Sequence, residues 1–272
     1  MSNLLSSSLF ETNSKRFEEI DELTRSLSAQ YWRSGIIGEN VINIVSAFAE
    51  KQSIALEILC YPFSDDELWA FTLQKKGTIF VCINSELPIS KQIFAAAHEL
   101  YHIYRYSADI DKEGAGIATL LDSKTADECA QSQEDVEANA FAALLLVPSN
   151  LLSEHLSIFD IDRNNPSVDD ILVLMDSFGI PFKAIVLRLY ESRLISKAKA
   201  EGLLANAAED VEKRSVLTGK ARRWLLCDRG VERFGTLPVN IEFNANHDFL
   251  TTSRAEEDMK FVEMLMKKTE SK

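Results

Sequence analysis

The stretch IFAAAHELYHIYRY (residues 93–106) places two histidines four residues apart, with a glutamate directly after the first. The whole chain contains four histidines, so this one pair accounts for half of them. Residues i and i+4 share one face of a helix, where two imidazoles can bind one Zn²⁺ at about 2.0–2.1 Å each. The H-E-x-x-H pattern therefore predicts a zinc site with His98 and His102 as ligands.

Glu99 lies about 100° around the predicted helix from His98, next to the metal but not among its ligands. Zinc lowers the pKa of a bound water towards about 7, and a nearby carboxylate can take the proton and pass it to a leaving amine. The sequence thus predicts Glu99 as the general base. The alternative is a chance pair of core histidines, expected in on the order of one chain in a hundred. The small alanines at 95–97, which leave room beside a metal, favour the zinc site.

A catalytic zinc site uses three protein ligands and one open position. The longer pattern is excluded because its glycine and third histidine would fall at 105 and 108, which here are Arg105 and Ala108. The predicted helix SQEDVEANAFAALLLVP (132–148) offers a carboxylate instead, from Glu134, Asp135 or Glu137. Asp135 and Asn139 are spaced i, i+4, so one face can supply a metal ligand and a hydrogen bond to a ligating histidine. The alternative is that all three acids form a solvated helix start.

HELYH and the later run EANAFAALLLVP together resemble the two motifs of the ImmA/IrrE family of zinc metallopeptidases, over roughly residues 38–150. The resemblance implies a zincin-like fold and one Zn²⁺ per chain, held by His98 and His102, with Glu99 as the catalytic residue. It places the third ligand on Asp135, where the family usually has a glutamate, which is one methylene longer. The family cleaves helix-turn-helix repressors, so the resemblance also implies a protein substrate of that kind.

Composition and charge predict a cytoplasmic protein. A net charge of −13 argues against charge-driven binding to nucleic acid or to an anionic membrane. The four cysteines lie far apart and form neither a CxxC pair nor a disulfide framework, which is typical of a reducing compartment. The N-terminus lacks a basic segment followed by an apolar one, and no apolar run approaches about 18–20 residues. We therefore expect neither a secretion signal nor a membrane helix.

The hydrophobic pattern predicts an α+β protein, in which a small mixed sheet packs on helices and one helix carries the histidine pair. Strand-like runs predict three strands, the last two joined by a KKG hairpin turn, at 54–63, 68–74 and 78–84. Four parts are expected: an N-terminal arm or helix (1–34), a zinc metallopeptidase domain (35–152), a helix-turn-helix-like segment (160–205) and a mixed α/β regulatory or sensor domain (206–272).

Further local features complete the predicted organisation. Ser90 is expected to cap the histidine helix, and residues 107–132 to form a loop or short helical pieces. Strands are expected around 236–243, and an amphipathic helix from about Ser253. The strand at 78–84 ends just before the histidine helix. It is therefore either an edge strand that holds an extended substrate or an ordinary buried strand.

Two later segments are candidates for binding. Residues 167–196 have the outline of a helix-turn-helix, with an FGIP turn, but their acidic residues outnumber the basic ones. That balance favours a scaffold or partner-docking surface over DNA readout. The basic segment 213–229 is the better candidate for an anionic effector, either nucleic acid or a small molecule, with a solvated basic face as the alternative. The candidate effector-binding residues are Lys220, Arg222, Arg223 and Trp224.

Two functions of different kinds are consistent with these patterns. The first is a zinc endopeptidase that cuts a protein partner. By the resemblance, the partner is a helix-turn-helix transcriptional repressor, and its cleavage relieves repression in a stress, mobile-element or defence response. The second is a non-proteolytic regulatory module that keeps the fold and binds a partner or nucleic acid. The intact His98, Glu99 and His102 favour the enzyme, because a module freed from catalysis has no need of all three.

Overall fold

The computed structural model describes residues 4–33, 35–65, 67–107, 118–127, 132–227 and 233–270. These residues form an α+β fold, as the sequence predicts, with one mixed β-sheet packed against helices. The strands of this sheet are, in chain order, β1 (Ala55–Tyr61), β2 (Leu68–Lys75), β3 (Thr78–Asn84), β4 (Ala118–Asp122) and β5 (Arg233–Phe234).

The strand order in the sheet is β4-β2-β3-β1-β5. β1 and β3 are parallel, and the other pairings are antiparallel. The three predicted strands are confirmed, and so is the hairpin between β2 and β3. Lys76 and Gly77 turn the chain there with φ values of 51° and 81°, the positive values that a two-residue hairpin turn of this kind needs.

Helices make up most of the remaining described chain. In chain order they are α1 (Leu4–Ser7), α2 (Leu9–Thr12), α3 (Ser14–Tyr31), α4 (Val41–Lys51), α5 (Ile89–Ser107), α6 (Ser123–Asp127), α7 (Gln133–Leu146), α8 (Ser149–Ile158), α9 (Val168–Phe178), α10 (Phe182–Glu191), α11 (Lys197–Leu204), α12 (Ala208–Thr218), α13 (Arg222–Leu225), α14 (Leu237–Asn246) and α15 (Thr252–Glu270), with a 3-10 turn at Gly38–Asn40. Among the described residues no single helix is long and apolar enough to cross a bilayer. Only α7 and α8 taken together, bent by 46°, meet the length and composition requirement.

The helix α5 carries the H-E-x-x-H pattern through the interior of the protein. It packs against β2 and β3 and against α4 and α7. Its alanines at 95–97 are at most 1% exposed, and such small side chains let the neighbouring elements approach closely. Phe94 meets Trp69 edge to face, with ring centroids 6.5 Å apart. The histidine pair therefore lies on a buried helix rather than on a loop.

One hydrophobic core extends from Leu5 in α1 to Ala221 before α13, and it includes residues of the sheet, α5, α7, α9 and α10. A second, small core in the C-terminal helices consists of Ile241, Ala255 and Val262. The first core therefore crosses all three boundaries of the predicted four-part division. The division itself stays a prediction.

The helix-turn-helix-like segment forms α9, a turn and α10. Ser167 caps α9 in a capping box with Asp170, and Gly179 ends it with a left-handed φ of 68°. Every residue of α10 is buried or half-buried. A helix that reads DNA must offer one face to the groove. α10 has no exposed residue, and Ile185, Val186 and Leu189 lie in the hydrophobic core, so little of its surface is available to a groove.

The prediction of Ser90 as the N-cap of the histidine helix is wrong. α5 begins at Ile89, so Ser90 lies inside its first turn. The Ser90 hydroxyl donates a hydrogen bond to the carbonyl of Trp224 at 2.7 Å, and the Ile89 N–H donates to the carbonyl of Leu226 at 3.3 Å. A part of the chain far away in sequence therefore holds the start of this helix.

The strands expected around 236–243 are also wrong, because these residues lie mostly in α14, while β5 is only two residues long. The apolar residues of α14 alternate along the sequence, which imitates a strand. Only Ile241 among them is buried, and it packs with Ala255 and Val262. The expected C-terminal helix is present as α15.

The expectation of a loop or short helical pieces over 107–132 is wrong at β4 and right at α6. Residues 108–117 and 128–131 lie outside the described residues. β4 forms an edge of the sheet, whereas β3 lies in its interior between β2 and β1. The prediction that 78–84 is an edge strand that holds substrate is therefore wrong. The alternative, an ordinary buried strand, is confirmed.

Candidate metal centre

His98 is fully buried in α5, and Asn139 of α7 fixes its ring. His98 Nδ1 lies 2.9 Å from Asn139 Oδ1, while Asn139 Nδ2 donates to the carbonyl of Thr125 at 2.9 Å. Because the amide nitrogen is bonded to a carbonyl, the amide oxygen faces the imidazole. His98 Nδ1 therefore carries the proton and Nε2 the lone pair. Burial lowers the pKa of His98 well below its usual value and keeps the ring neutral.

His102 is held in the same way by Glu134. His102 Nδ1 lies 2.9 Å from Glu134 Oε1, and the hydrogen bond with His102 lowers the pKa of that carboxyl. An ionised carboxylate only accepts hydrogen bonds, so His102 also carries its proton on Nδ1. The two Nε2 atoms, each with a lone pair, lie 3.1 Å apart and face each other.

Asp135 in the first turn of α7 completes the group. Its Oδ1 lies 3.8 Å from His98 Nε2 and 3.6 Å from His102 Nε2. Its Oδ2 accepts a hydrogen bond from the Ser132 hydroxyl at 2.6 Å, and that hydroxyl in turn caps the helix by accepting from the Asp135 N–H at 3.0 Å. The cap therefore directs Oδ1 towards the histidines.

The three ligand atoms fit a metal ion. They all lie within 4.8 Å of one another, so His98, His102 and Asp135 could hold a metal together. Two lone pairs at 3.1 Å repel each other unless a cation lies between them. Two ligands of a tetrahedral zinc at 2.0–2.1 Å are about 3.3 Å apart, close to the spacing of the imidazoles. A set of two imidazole nitrogens and one carboxylate oxygen is a ligand set of divalent transition metals, zinc among them.

Glu99 is fully buried beside the histidines. Its Oε2 accepts a hydrogen bond from the Thr119 hydroxyl at 2.8 Å, and that hydroxyl accepts from the N–H of Thr72 at 3.1 Å. Its Oε1 has no hydrogen-bond partner among the described residues. An orphaned buried carboxylate oxygen is costly, so this atom marks a place for a further polar group. Burial raises the pKa of Glu99.

A cleft of about 460 Å³ opens between α5, β4 and the start of α7, and it is lined by His102, Tyr106, Thr119, Leu120, Glu134 and Asp135, among others. Leu120 is 54% exposed on β4, the edge strand. Of the three tyrosines near the end of α5, Tyr106 lines the cleft. Tyr104 packs on Phe48, with ring centroids 6.2 Å apart.

The other two acids considered as ligands lie outside the group that could hold a metal. Glu134 is bonded to His102 Nδ1 rather than facing Nε2. Glu137 Oε2 accepts hydrogen bonds from the hydroxyl of Tyr101 and from Arg16 Nη2, the latter at 2.8 Å. It is therefore directed towards α3.

The residues considered for an effector do not converge on one open site. Trp224 packs over Gly179, where an added Cβ would come within 3.0 Å of the indole ring. Arg223 forms an ion pair with Glu39 at 2.5 Å, and its guanidinium lies 4.9 Å from the Trp224 ring centroid. The two remaining candidates are the half-buried Lys220 and the exposed Arg222. Residues 228–229 of the basic segment lie outside the described residues.

Thr119 and Arg16 lie around this centre although no sequence pattern predicts them there. Thr119 lies in a run of small and polar residues without clear period, so no pattern marked β4. Arg16 lies in an N-terminal helix whose amphipathic pattern says nothing about its partner. Neither contact has a local signal, because each joins elements that are distant in sequence.

Buried imidazoles with fixed tautomers, a facing carboxylate and an adjacent buried glutamate, all on an α+β scaffold, define a metallopeptidase-like centre. The family model of the IrrE N-terminal-like domain, a peptidase family, matches residues 52–190, which is about half of the chain. The chain belongs to this family, and the resemblance seen in its motifs is confirmed. A comparison with curated proteins gives no significant match. A peptidase family implies a protein substrate.

Proposed function

We propose that this protein is a zinc-dependent endopeptidase that cleaves a protein partner, with His98, His102 and Asp135 as metal ligands and Glu99 as the general base. The observation that carries the proposal is the pair of facing Nε2 lone pairs, 3.1 Å apart, with a carboxylate oxygen 3.6–3.8 Å from both. Nothing in a metal-free interior stabilises that arrangement, whereas a divalent cation does.

A zinc ion held by His98, His102 and Asp135 would supply the Lewis acidity that acidifies a water molecule and polarises the peptide carbonyl. Glu99 Oε1 takes the proton from the attacking water and holds it until the leaving amine accepts it. The hydrogen bond from the Thr119 hydroxyl occupies Oε2, and Oε1, which has no hydrogen-bond partner among the described residues, is left to take the proton. The raised pKa that burial gives Glu99 suits a group that must hold a proton between two steps.

The open cleft supports an extended peptide as substrate. β4 is the edge strand on the cleft side and pairs with β2 on its other side. An extended chain can add to such an edge by backbone hydrogen bonds. Leu120 and Tyr106 offer apolar contact beside the metal ligands. A segment laid along β4 would bring a mid-chain peptide bond to the histidines, which is the geometry of an endopeptidase.

The family resemblance supports a helix-turn-helix repressor as the partner, in a stress, mobile-element or defence response. The alternative, a module that binds nucleic acid through the helix-turn-helix-like segment, is weakened because no residue of α10 is exposed. Its other candidate, the basic segment, has Arg223 paired with Glu39 and Trp224 packed over Gly179. An effector site at Lys220 and Arg222 stays a proposal.

Glu99→Gln tests the enzymatic proposal. The variant should retain zinc, because Glu99 is not a ligand, and should lose about 10²–10⁴-fold in turnover, because the base is gone. Wild type and variant, each loaded with zinc, are incubated with a proteome-derived peptide library, and new N-termini are identified by mass spectrometry. Glu154→Gln, which changes an exposed glutamate of α8, is the matched control. Cleavage by Glu99→Gln at the wild-type rate would show that Glu99 is not the base.

The partner is tested separately. Helix-turn-helix proteins encoded next to this gene are purified and mixed with the wild type and with Glu99→Gln. We expect zinc-dependent cleavage of one of them by the wild type alone. Intact partners in the presence of an enzyme that cleaves library peptides would reject the repressor and leave the endopeptidase.

A further inference from the structure

Three hydrogen bonds join α5 to α7 in a regular antiparallel series. His98 pairs with Asn139, Tyr101 with Glu137 and His102 with Glu134, so the partner moves back along α7 as the chain advances along α5. The first and last bonds hold the imidazoles. The middle bond, between Tyr101 and Glu137, involves no imidazole atom, so the proposed chemistry of the centre does not account for it.

The middle bond is buried and carries charge. Tyr101 is fully buried, and the Glu137 side chain is 12% exposed. Arg16 reaches over from α3, with Nη2 2.8 Å from Glu137 Oε2 and 3.2 Å from the Tyr101 hydroxyl. Its Nη1 donates to Glu19 on the same helix at 2.9 Å, which holds the guanidinium in place. A largely buried carboxylate needs such a partner, since an unpaired buried charge is strongly destabilising.

Asp135 is the ligand most sensitive to the spacing of the two helices. It is the only one of the three that lies on α7, and its carboxylate stands on a single methylene. A metal site tolerates deviations of about 0.2 Å in its ligand distances. A short side chain cannot follow a helix that moves by more than this, whereas the longer glutamate can adjust its extra torsion.

We infer that Arg16, Glu137 and Tyr101 act as positioning residues that set α7 against α5 and so fix the distance at which Asp135 meets His98 and His102. The inference rests on the proposed metal centre. Arg16 lies outside the matched range 52–190, so the N-terminal helix α3 contributes to a centre that the family domain otherwise builds by itself. None of these three residues belongs to the group that could hold a metal.

Zinc affinity of the full-length protein, measured by competition with a chelator, tests the inference. Tyr101→Phe removes one hydroxyl and no charge, and Arg16→Gln removes the cation. Each should weaken zinc binding at least tenfold, which is about 1.4 kcal/mol. For Arg16→Gln, the direction of the change in zinc affinity distinguishes two effects. Loss of a nearby positive charge alone would tighten the binding of a cation, so weaker zinc binding points to lost positioning. Arg25→Gln, on the same helix but paired with Asp21, should leave the affinity unchanged.

The same substitutions made in the Asp135→Glu protein distinguish an effect on the position of Asp135 from a general loss of stability. In Asp135→Glu, the longer side chain can follow α7, so the penalty of Tyr101→Phe should shrink to less than about threefold. Thermal unfolding of the metal-free proteins is measured in parallel. A lowered melting temperature with unchanged zinc affinity, or an equal penalty in both backgrounds, would overturn the inference.

These results are distinct from a failure of the proposed function. A wild-type protein that binds no zinc would reject the metal centre itself. A wild type that binds zinc and cleaves peptides, alongside variants that bind equally tightly, would reject only the positioning network.

Discussion

At the residue scale, the hydrogen bonds behind the histidines decide what the histidines can do. Asn139 and Glu134 each accept from an Nδ1–H, which leaves both Nε2 atoms as lone-pair donors towards one point. A pair of histidines with any other tautomer could share a proton instead. Acceptors of this kind orient metal ligands and raise their basicity. The chemistry of the centre therefore depends on α7 as much as on the H-E-x-x-H pattern.

Asn139→Ala should weaken zinc binding about 10–100-fold, because His98 loses the acceptor that fixes its tautomer. Asn139→Asp keeps an acceptor and should lose much less. Chelator competition on the purified proteins measures both, with Asn150→Ala on α8 as a control for loss of an exposed asparagine. Equal affinity in Asn139→Ala and wild type would mean that His98 is not held through this bond.

Asp135→Ala should abolish stoichiometric zinc binding, since two histidines and water remain as ligands. Asp135→Glu should retain the metal, because it keeps a carboxylate at the same position. Glu134→Gln keeps an acceptor for His102 through its amide oxygen and should retain zinc at reduced affinity. Metal content is measured by mass spectrometry after gel filtration. Loss of zinc in Glu134→Gln together with full retention in Asp135→Ala would reassign the third ligand.

At the element scale, the sequence predicts what local periodicity controls. The helix that bears the histidines, the strands at 54–63, 68–74 and 78–84, and the KKG turn follow from apolar spacing and turn residues. The alternation of α14 misleads, because period-2 spacing is read as a strand while only Ile241 is buried. What makes these residues a helix is contact with α15, which no local pattern contains.

In the candidate site, too, the sequence predicts what local spacing controls and not what depends on contacts between elements. His98 and His102 are spaced i, i+4, and so are Asp135 and Asn139, so helical geometry alone brings each pair to one face. The choice among the acids of α7 depends on the register of two helices, which the sequence does not encode locally. Thr119 and Ser90 have partners in distant elements for the same reason, so their contacts were unpredictable or wrongly predicted.

Arg188 in α10 supports the far end of α7. Its guanidinium is fully buried and donates to the carbonyl of Val147 at 3.1 Å, to Glu191 at 2.7 Å and to the Ser149 hydroxyl at 2.8 Å. Arg188→Ala should destabilise the protein by about 3–5 kcal/mol, because Glu191 is left buried and unpaired. Urea unfolding checks the value. Arg254→Ala, in an exposed pair with Asp258, should cost less than about 1 kcal/mol.

A small effect of Arg188→Ala would mean that water reaches Glu191, and the buried pair would then contribute little to the attachment of α10. Replacement of both partners by apolar residues distinguishes the two cases. A variant with Arg188→Met and Glu191→Leu should recover most of the lost stability, because no charge is then left unpaired.

At the scale of the whole molecule, the helices after the peptidase motifs complete its core. α9 and α10 share the hydrophobic core with the sheet and α5, and Trp224 joins the turn at Gly179 to the start of α5 through its bond with Ser90. The net charge of −13 does not favour charge-driven binding to DNA.

The central claim, that one bound metal ion makes this chain a peptidase, is tested most directly by removing and restoring the metal in one preparation. Wild-type protein is stripped with a chelator, assayed on the peptide library, titrated with Zn²⁺ and assayed again. Cleavage should vanish on stripping and return in full at one zinc per chain, and His98→Ala should not recover at any comparable zinc concentration. Full cleavage by metal-free wild-type protein would contradict the account.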